Sequence, residues 1–534
     1  MIMLSDAKNV MKGGFALLFL TGFVTGVVSL QASDLDTIGV TVLRQVDPTL
    51  NGSGVKVAQP EGSDPGLGDF EVNPGYVYVG QPTNLFTYIS TNGAIATGFP
   101  NSVGVESSHA DEVAAYFYGV TKGVATNVSH VDNYDASYFF GYYIYNGLSL
   151  VDPTRVVNQS FTFATNYESI MDPAYDNYAA NNNTIFVSGV GKANPIQPPG
   201  TSYNCVSVAL FFSPPLVNGP TVDGRCKPDI VAPDVADSGG EADSYAIPYV
   251  SGAAAILVQA ANRRDGGSNT NAAADLRTIK ALLLNGAVKP GGWTNGTATP
   301  LDARYGAGVA NVFNSWEQLK GGQHAFIEST TNSSGGAHPP GANAGNEPVL
   351  VGWDYNSIFT QETNDVANHY YFSLPGGNAF TLTATLVWNK QYMATNINNL
   401  DLFLYDAASS NLVTCSTSLV DNVEHIFLPV LPAGRYDLQV LKQGSTNQIS
   451  KSENYALAFE IFNLPLSVQP TNGTLVISWP VAPTGFQLLS TTSLSPPTSW
   501  TTVTNAVSIV NNQNVVTMPV GGGSQFFRLQ RPSF

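Results

Sequence analysis

Asp243-Ser-Tyr-Ala-Ile-Pro-Tyr-Val-Ser-Gly-Ala-Ala-Ala-Ile-Leu257 is the stretch on which the fold of this chain turns. A serine follows a Gly239-Gly240 loop and opens a run of good helix formers, with Pro248 suited to a first helical turn. The first N–H groups of a helix lack partners within it, and the helix dipole is positive there. A hydroxyl in that place can attack a carbonyl whose oxygen becomes negative. The same letters also describe a plain N-cap, so the stretch alone leaves Ser244 with two readings.

A nucleophilic serine needs a base. Of the six histidines, only His109 and His130 lie in the region of mixed strands and helices around the serine. His109 follows Ser107-Ser108 and opens Ala110-Asp-Glu-Val-Ala-Ala-Tyr-Phe-Tyr-Gly119, where the serines suit a cap and the acids a first turn. An imidazole at a helix N-terminus resists protonation and stays competent as a base. A surface histidine in a capping turn is the alternative. A third group must orient the imidazole. Gly54-Val-Lys-Val-Ala-Gln-Pro-Glu61-Gly62 is a short β run ending in an acid, and α/β sheets keep their sites at the carboxyl ends of strands. Glu61 is the first candidate and Asp64 the second, each with a solvated loop carboxylate as its alternative.

The whole chain has 534 residues, enough for three or four domains at about 150 residues each. Its net charge is −17 and only 11% of its residues are charged, against roughly 25% in an ordinary soluble protein. Such a surface has no electrostatic footprint for nucleic acid or anionic lipid. The three cysteines, Cys205, Cys226 and Cys415, make no disulfide framework and fit no zinc spacing. Cys205 and Cys226 could pair, or all three could remain buried thiols. No His-Glu-x-x-His and no phosphate-binding glycine loop is present, and Gly521-Gly-Gly523 reads as a hairpin turn.

Residues 1–32 read as a signal peptide: Lys8 and Lys12 precede an apolar run from Gly13 to Leu30, and Ala32 is small enough for cleavage. An uncleaved anchor is the other reading of that run. The mature chain is expected to be exported and soluble. Residues 33–320 then mix short strands (Val55–Ala58, Arg155–Val157, Thr184–Ser188, Val206–Leu210) with helices over Glu112–Tyr118, Tyr249–Ala261 and Leu276–Gly286. This predicts an α/β domain with a mostly parallel sheet and helices on both faces. A Thr/Ser/Gly/Pro/Asn-rich linker is expected over 321–348. Residues 349–464 alternate as an all-β sandwich, with strands over Phe380–Trp388, Leu400–Asp406, Arg435–Leu441 and Tyr455–Phe462. Residues 465–534 predict a smaller all-β domain with strands over Thr474–Trp479, Gly485–Ser490, Asn514–Met518 and Gln525–Leu529.

In the order acid, histidine, serine, and in local sequence, the chain resembles the subtilisin family of serine peptidases. That family carries a strand ending in Asp-Thr-Gly, a His-Gly-Thr helix start and a Gly-Thr-Ser-x-Ala-x-Pro nucleophile helix. Val55–Gly62, His109–Gly119 and Ala242–Pro248 stand in those places. Lys227-Pro-Asp-Ile-Val-Ala-Pro233 resembles the stretch before the family's serine. Ile279-Lys-Ala-Leu-Leu-Leu-Asn285 resembles its downstream helix, Tyr305-Gly-Ala-Gly-Val-Ala-Asn311 its closing glycine motif, and Val156-Val-Asn-Gln-Ser160 its cleft strand. The resemblance spans roughly residues 50–315 and implies a subtilisin-like fold. It also implies a triad of Glu61, His109 and Ser244 acting on a protein or peptide substrate.

The departures are specific. Glu61 stands where the family has Asp; it is one methylene longer but still accepts an imidazole N–H. Val190, in Val187-Ser-Gly-Val-Gly191, stands where the family has its oxyanion asparagine, a donor whose loss typically costs about 10²–10³ in turnover. Asn194 is the nearest substitute. Asp243 replaces the threonine before the serine, and Thr162 replaces a glycine of the primary pocket. About twenty residues separate Ala32 from Gly54, too few for a family-type folding prodomain. The resemblance also allows structural calcium. Asn398-Asn-Leu-Asp401 offers oxygen donors, although the polar start of a strand explains it as well. Residues 349–464 resemble jelly-roll or pre-peptidase-type sandwiches of secreted bacterial peptidases, on Val420-Asp-Asn-Val-Glu-His-Ile426 and Leu431-Pro-Ala-Gly-Arg-Tyr-Asp437. The C-terminal modules are expected to allow contact with cell surfaces or polysaccharide, with Trp479 and Trp500 read as core. The chain is expected to be a monomer. The competing function is a catalytically degenerate relative that binds or adheres.

Overall fold

The computed structural model describes residues 33–530 apart from 65, 192–193, 212–218, 234–242, 336–337, 341–348, 361–362, 377–378, 392–393, 395, 445–447, 472, 495–497, 512 and 522–523. The Gly521–Gly523 turn, the Gly239-Gly240 loop and the 1–32 segment therefore lie wholly or partly outside the described residues.

The strand Val156–Gln159 shows how the first part is built. All four residues are buried, and successive side chains of a strand face opposite ways. Asn158 Oδ1 accepts a hydrogen bond from Ser251 Oγ of the Asp243–Asn262 helix at 2.8 Å. Gln159 Nε2 donates to the Tyr175 hydroxyl of the Glu168–Asn182 helix at 2.7 Å. The two helices thus cover opposite faces of the sheet, which is why its strands are buried on both sides. The sheet runs in the order Ile230–Ala232, Val206–Leu210, Ile185–Gly189, Val156–Gln159, Lys56–Glu61, His130–Asp135, Phe86–Ile89, Ile95–Ala96. Its pairings are parallel except at the Ile95–Ala96 edge. Lys56–Glu61 sits between strands reached by later crossings to either side, a switch point where α/β sheets open a crevice at the strands' carboxyl ends.

The three helices read from the sequence occur as Ser108–Phe117, Asp243–Asn262 and Leu276–Asn285. Two expectations change. Pro248 falls in the second turn of its helix, because the helix already begins at Asp243. The 321–348 linker is not all linker. Glu328–Ser333 forms a strand antiparallel to Asn364–Leu374. Its alternating exposure explains why composition hid it: an edge strand gains its backbone bonds without apolar side chains on its outer face.

Beyond it, a five-stranded and a four-stranded antiparallel sheet pack around Leu382, Leu386, Trp388, Leu402, Leu438 and Leu457. A last pair of small sheets closes on Ile477, Trp479, Leu488, Val516 and Met518. The sandwich is docked on the α/β part by polar contacts. Asn285 Oδ1 accepts from Thr383 Oγ1 at 2.9 Å and Thr385 Oγ1 at 3.0 Å. Asp421 Oδ1 accepts from the Cys226 N–H at 2.7 Å, and Trp353 Nε1 donates to the Leu319 carbonyl at 3.1 Å. All three cysteines are free; Cys205 and Cys226 are buried and Cys415 is half-buried.

Candidate active site

Glu61 is the last residue of its strand and is 1% exposed. A buried carboxylate needs donors. Gln59, two residues earlier and so on the same face, gives one: its Nε2 donates to Glu61 Oε1 at 2.8 Å and to the Ala110 carbonyl at 2.9 Å. Gln59 Oε1 accepts in turn from the Tyr118 hydroxyl at 2.6 Å. Burial holds that phenol well above its ordinary pKa, so it remains a donor. Glu61 Oε2 is left to meet His109 Nδ1 at 2.9 Å.

His109 is the second residue of the Ser108–Phe117 helix, whose N-cap is Ser107, accepting from the Ala110 N–H on its side chain. Its side chain is 38% exposed while that of Glu61 is 1% exposed, so the imidazole bridges a buried acid and open solvent. One turn into the helix, Asp111 is buried and accepts from the Asn73 N–H at 2.6 Å. Burial, reinforced by Glu106 and Glu61, pushes its carboxyl up to about 7.

Ser244 is the second residue of the Asp243–Asn262 helix and is half-buried. Pro248 has no N–H, so the Ser244 carbonyl is denied its ordinary helical partner four residues on. Ser160 Oγ takes that place, donating to the Ser244 carbonyl at 2.9 Å, and Ser244 Oγ donates back to the Ser160 carbonyl at 3.3 Å. The next residue, Tyr245, lies with its ring centroid 6.0 Å from that of His109. The serine thus stands beside the histidine's helix, at the rim of a cavity of about 260 Å³ lined by Ser160, Phe161, Thr162, Gly189, Gln197 and Ile247. A larger cavity of about 630 Å³ beyond Glu61 is lined by Ser63, Asp64 and Asp135 among others, and includes neither His109 nor Ser244.

Asp64 is exposed and its N–H is held by Asp69 at 2.8 Å, so Glu61, not Asp64, meets the imidazole. His130 pairs in register with Lys56, at the end of the sheet away from Glu61. Val190 is buried with Ile196, Ala209, Phe211, Val231 and Val309, and Asn194 is exposed. Thr162 Oγ1 donates to Gln197 Oε1 across the cavity at 3.2 Å. The side chain of Asp243 lies outside the described residues. The supporting roles of Gln59, Ser160 and Gln197 were not read from the sequence. Gln59 could have been, since strand period places it beside Glu61. Ser160 and Gln197 meet the site only through tertiary packing.

For calcium, Asn398 is already saturated: its Oδ1 accepts from the Ile449 and Ser450 N–H groups at 3.1 Å, and its Nδ2 donates to Glu453. Among the described residues, Asp401 Oδ1 and Asn399 Oδ1 are buried without a partner. Two such oxygens are fewer than the six to eight that calcium takes, roughly.

Residues 91–308 match the subtilase family of peptidases. Among curated proteins, none matches the chain. Three solved structures are similar to it. The prenylagaramide maturation protease PagA aligns with 19% identity and a TM-score of 0.36, over 53% of this chain and 99% of its own. The PatG macrocyclase in complex with peptide aligns with 16% identity and a TM-score of 0.39, over 55% and 100%. The Aeromonas sobria serine protease, solved with its chaperone, aligns with 13% identity and a TM-score of 0.34, over 90% and 88%. At such scores these structures add nothing to the family match. With a mostly parallel sheet covered on both faces and residues 91–308 matching the subtilase family, the α/β part of this chain has a subtilisin-like fold.

Proposed function

We propose that this chain is an exported serine endopeptidase that cleaves protein or peptide substrates through Glu61, His109 and Ser244. One observation carries the reading: the 2.9 Å contact between His109 Nδ1 and a buried Glu61 whose other oxygen is already held by Gln59. With Nδ1–H donating to the carboxylate, Nε2 keeps its lone pair for the serine proton. Ser244 Oγ leaves the Ser160 carbonyl, gives its proton to Nε2 and bonds to the substrate carbonyl carbon. The oxygen that becomes negative meets N–H groups at the start of the Asp243–Asn262 helix. His109 then returns the proton to the leaving amine, and water repeats the sequence on the acyl-enzyme. The cavity beside Ser244 receives the substrate side chain, narrowed by Thr162. The C-terminal β modules are proposed to contact cell surfaces or polysaccharide, and the chain to act as a monomer.

A fluorophosphonate probe tests this. Labelling of the wild type that disappears in Ser244→Ala supports the peptidase. A folded wild type that takes no label points to the second reading, a binding or adhesion protein on a degenerate scaffold. That reading is favoured by Val190, whose apolar burial leaves the family's asparagine place without a side-chain donor.

A further inference from the structure

At the opposite end of the sheet, three oxygens converge on one ring nitrogen. His130 Nε2 lies 3.2 Å from Asp132 Oδ1, 3.5 Å from Asp152 Oδ2 and 3.1 Å from Thr87 Oγ1. An imidazole nitrogen carries at most one proton, so one hydrogen bond cannot account for all three neighbours. Each carboxylate also divides its labour. Asp132, fully buried, has its Oδ2 held by the Tyr134 hydroxyl and the Asp152 N–H, both at 3.3 Å. Asp152 has its Oδ1 held by Lys56 Nζ at 2.6 Å. The remaining oxygen of each is the one that points at His130, and the three donor atoms lie within 4.8 Å of one another.

We infer that His130, Asp132 and Asp152 form a structural site for a divalent transition ion of the zinc class. Around a tetrahedral zinc with bonds of about 2.0–2.2 Å, ligand atoms stand roughly 3.3–3.6 Å apart, close to the separations from His130. The ring nitrogen excludes calcium and magnesium, which take oxygen. Two carboxylates and a neutral imidazole balance a 2+ ion. Tyr134 and Lys56 fix the ligands from behind, as outer partners of metal sites do. Thr87 or water fills the fourth position. The ion would tie together the starts of Lys56–Glu61 and His130–Asp135, the strand Phe86–Ile89, and the segment leading into Val156–Gln159. It is remote from Ser244 and independent of the peptidase reading.

The test is calorimetric titration of the full chain carrying Ser244→Ala, which prevents self-cleavage, with Zn²⁺. The unfolding temperature is followed with and without the ion, and visible absorption is recorded with Co²⁺. One zinc per chain is expected, with a raised unfolding temperature and a tetrahedral cobalt spectrum. Asp152→Asn alters a side chain that is 31% exposed and leaves the fold intact; it should weaken zinc at least about tenfold. His130→Asn should abolish the cobalt spectrum, while His109→Ala should leave zinc affinity unchanged. Unchanged affinity in both Asp152→Asn and His130→Asn overturns the site. So does loss of affinity in His109→Ala, or a folded Ser244→Ala chain that binds no zinc.

Discussion

At the scale of single residues, the orientation of His109 depends on a chain of hydrogen bonds that starts in the core: the Tyr118 hydroxyl donates to Gln59, Gln59 donates to Glu61, and Glu61 accepts from His109 Nδ1. Gln59→Met keeps the volume but strands a carboxylate oxygen and a phenol. A buried polar group left unpaired costs about 1–3 kcal/mol, so the variant should melt lower and lose roughly tenfold in kcat/KM on a peptide substrate. Glu61→Gln should keep the fold and lose up to about 10⁴ in kcat, the scale seen when a triad acid becomes an amide. Equal kcat in Glu61→Gln and wild type would show that the imidazole works without this acid.

At the scale of elements, the Asp243–Asn262 helix carries a proline in its second turn, which frees the Ser244 carbonyl for Ser160. Pro248→Ala restores the N–H and lets the helix reclaim that carbonyl. Proline inside a helix costs on the order of 3 kcal/mol, so the substitution should raise the unfolding temperature by several degrees. Ser160 Oγ then loses its acceptor, and the rate of fluorophosphonate labelling at Ser244 should fall about tenfold. A variant that is both more stable and equally reactive would mean that the Ser160 link has no part in presenting the hydroxyl.

At the scale of the whole molecule, the sandwich completes the α/β part. Removing it leaves Asn285, the Cys226 N–H and the Leu319 carbonyl without their partners. Water takes up those polar groups, but the apolar face that Trp353, Val387, Val423 and Ala458 cover is exposed as well, so the unfolding temperature of a 33–320 fragment should fall by roughly 10 °C or more. Calorimetry of the fragment beside the full chain checks this, and equal melting would show that the docking is incidental. Buried charge also sets the response to pH. Burial raises Asp111, Asp176 and Asp401 from 3.8 to about 7. Between those values the folded chain binds more protons than the unfolded one, so stability falls as pH rises. Lys280 and Lys442, lowered by burial from 10.5 to about 8, act with the opposite sign: above pH 8 stability rises as the unfolded chain holds the extra protons. The unfolding temperature should therefore be higher at pH 5 than at pH 8, with partial recovery toward pH 10.

Sequence alone placed Glu61 at the end of a strand, His109 at the start of a helix and Ser244 at the start of another. Each of those is a local matter of strand period, capping residues and helix propensity within a few neighbours. It also showed a mostly parallel sheet with helices on both faces, and the alternation of Phe380–Trp388 and Leu400–Asp406 in the sandwich. What lay beyond it depended on residues distant in the chain. Neither the 321–348 composition nor any local pattern showed that Glu328–Ser333 would pair with Asn364–Leu374, because an edge strand owes its place to another strand's free N–H and C=O groups. The hold of Gln59 and Tyr118 behind Glu61, the seating of Val190 in an apolar cluster and the exchange between Ser160 and Ser244 were likewise decided only when packing brought separate segments within hydrogen-bonding and van der Waals range.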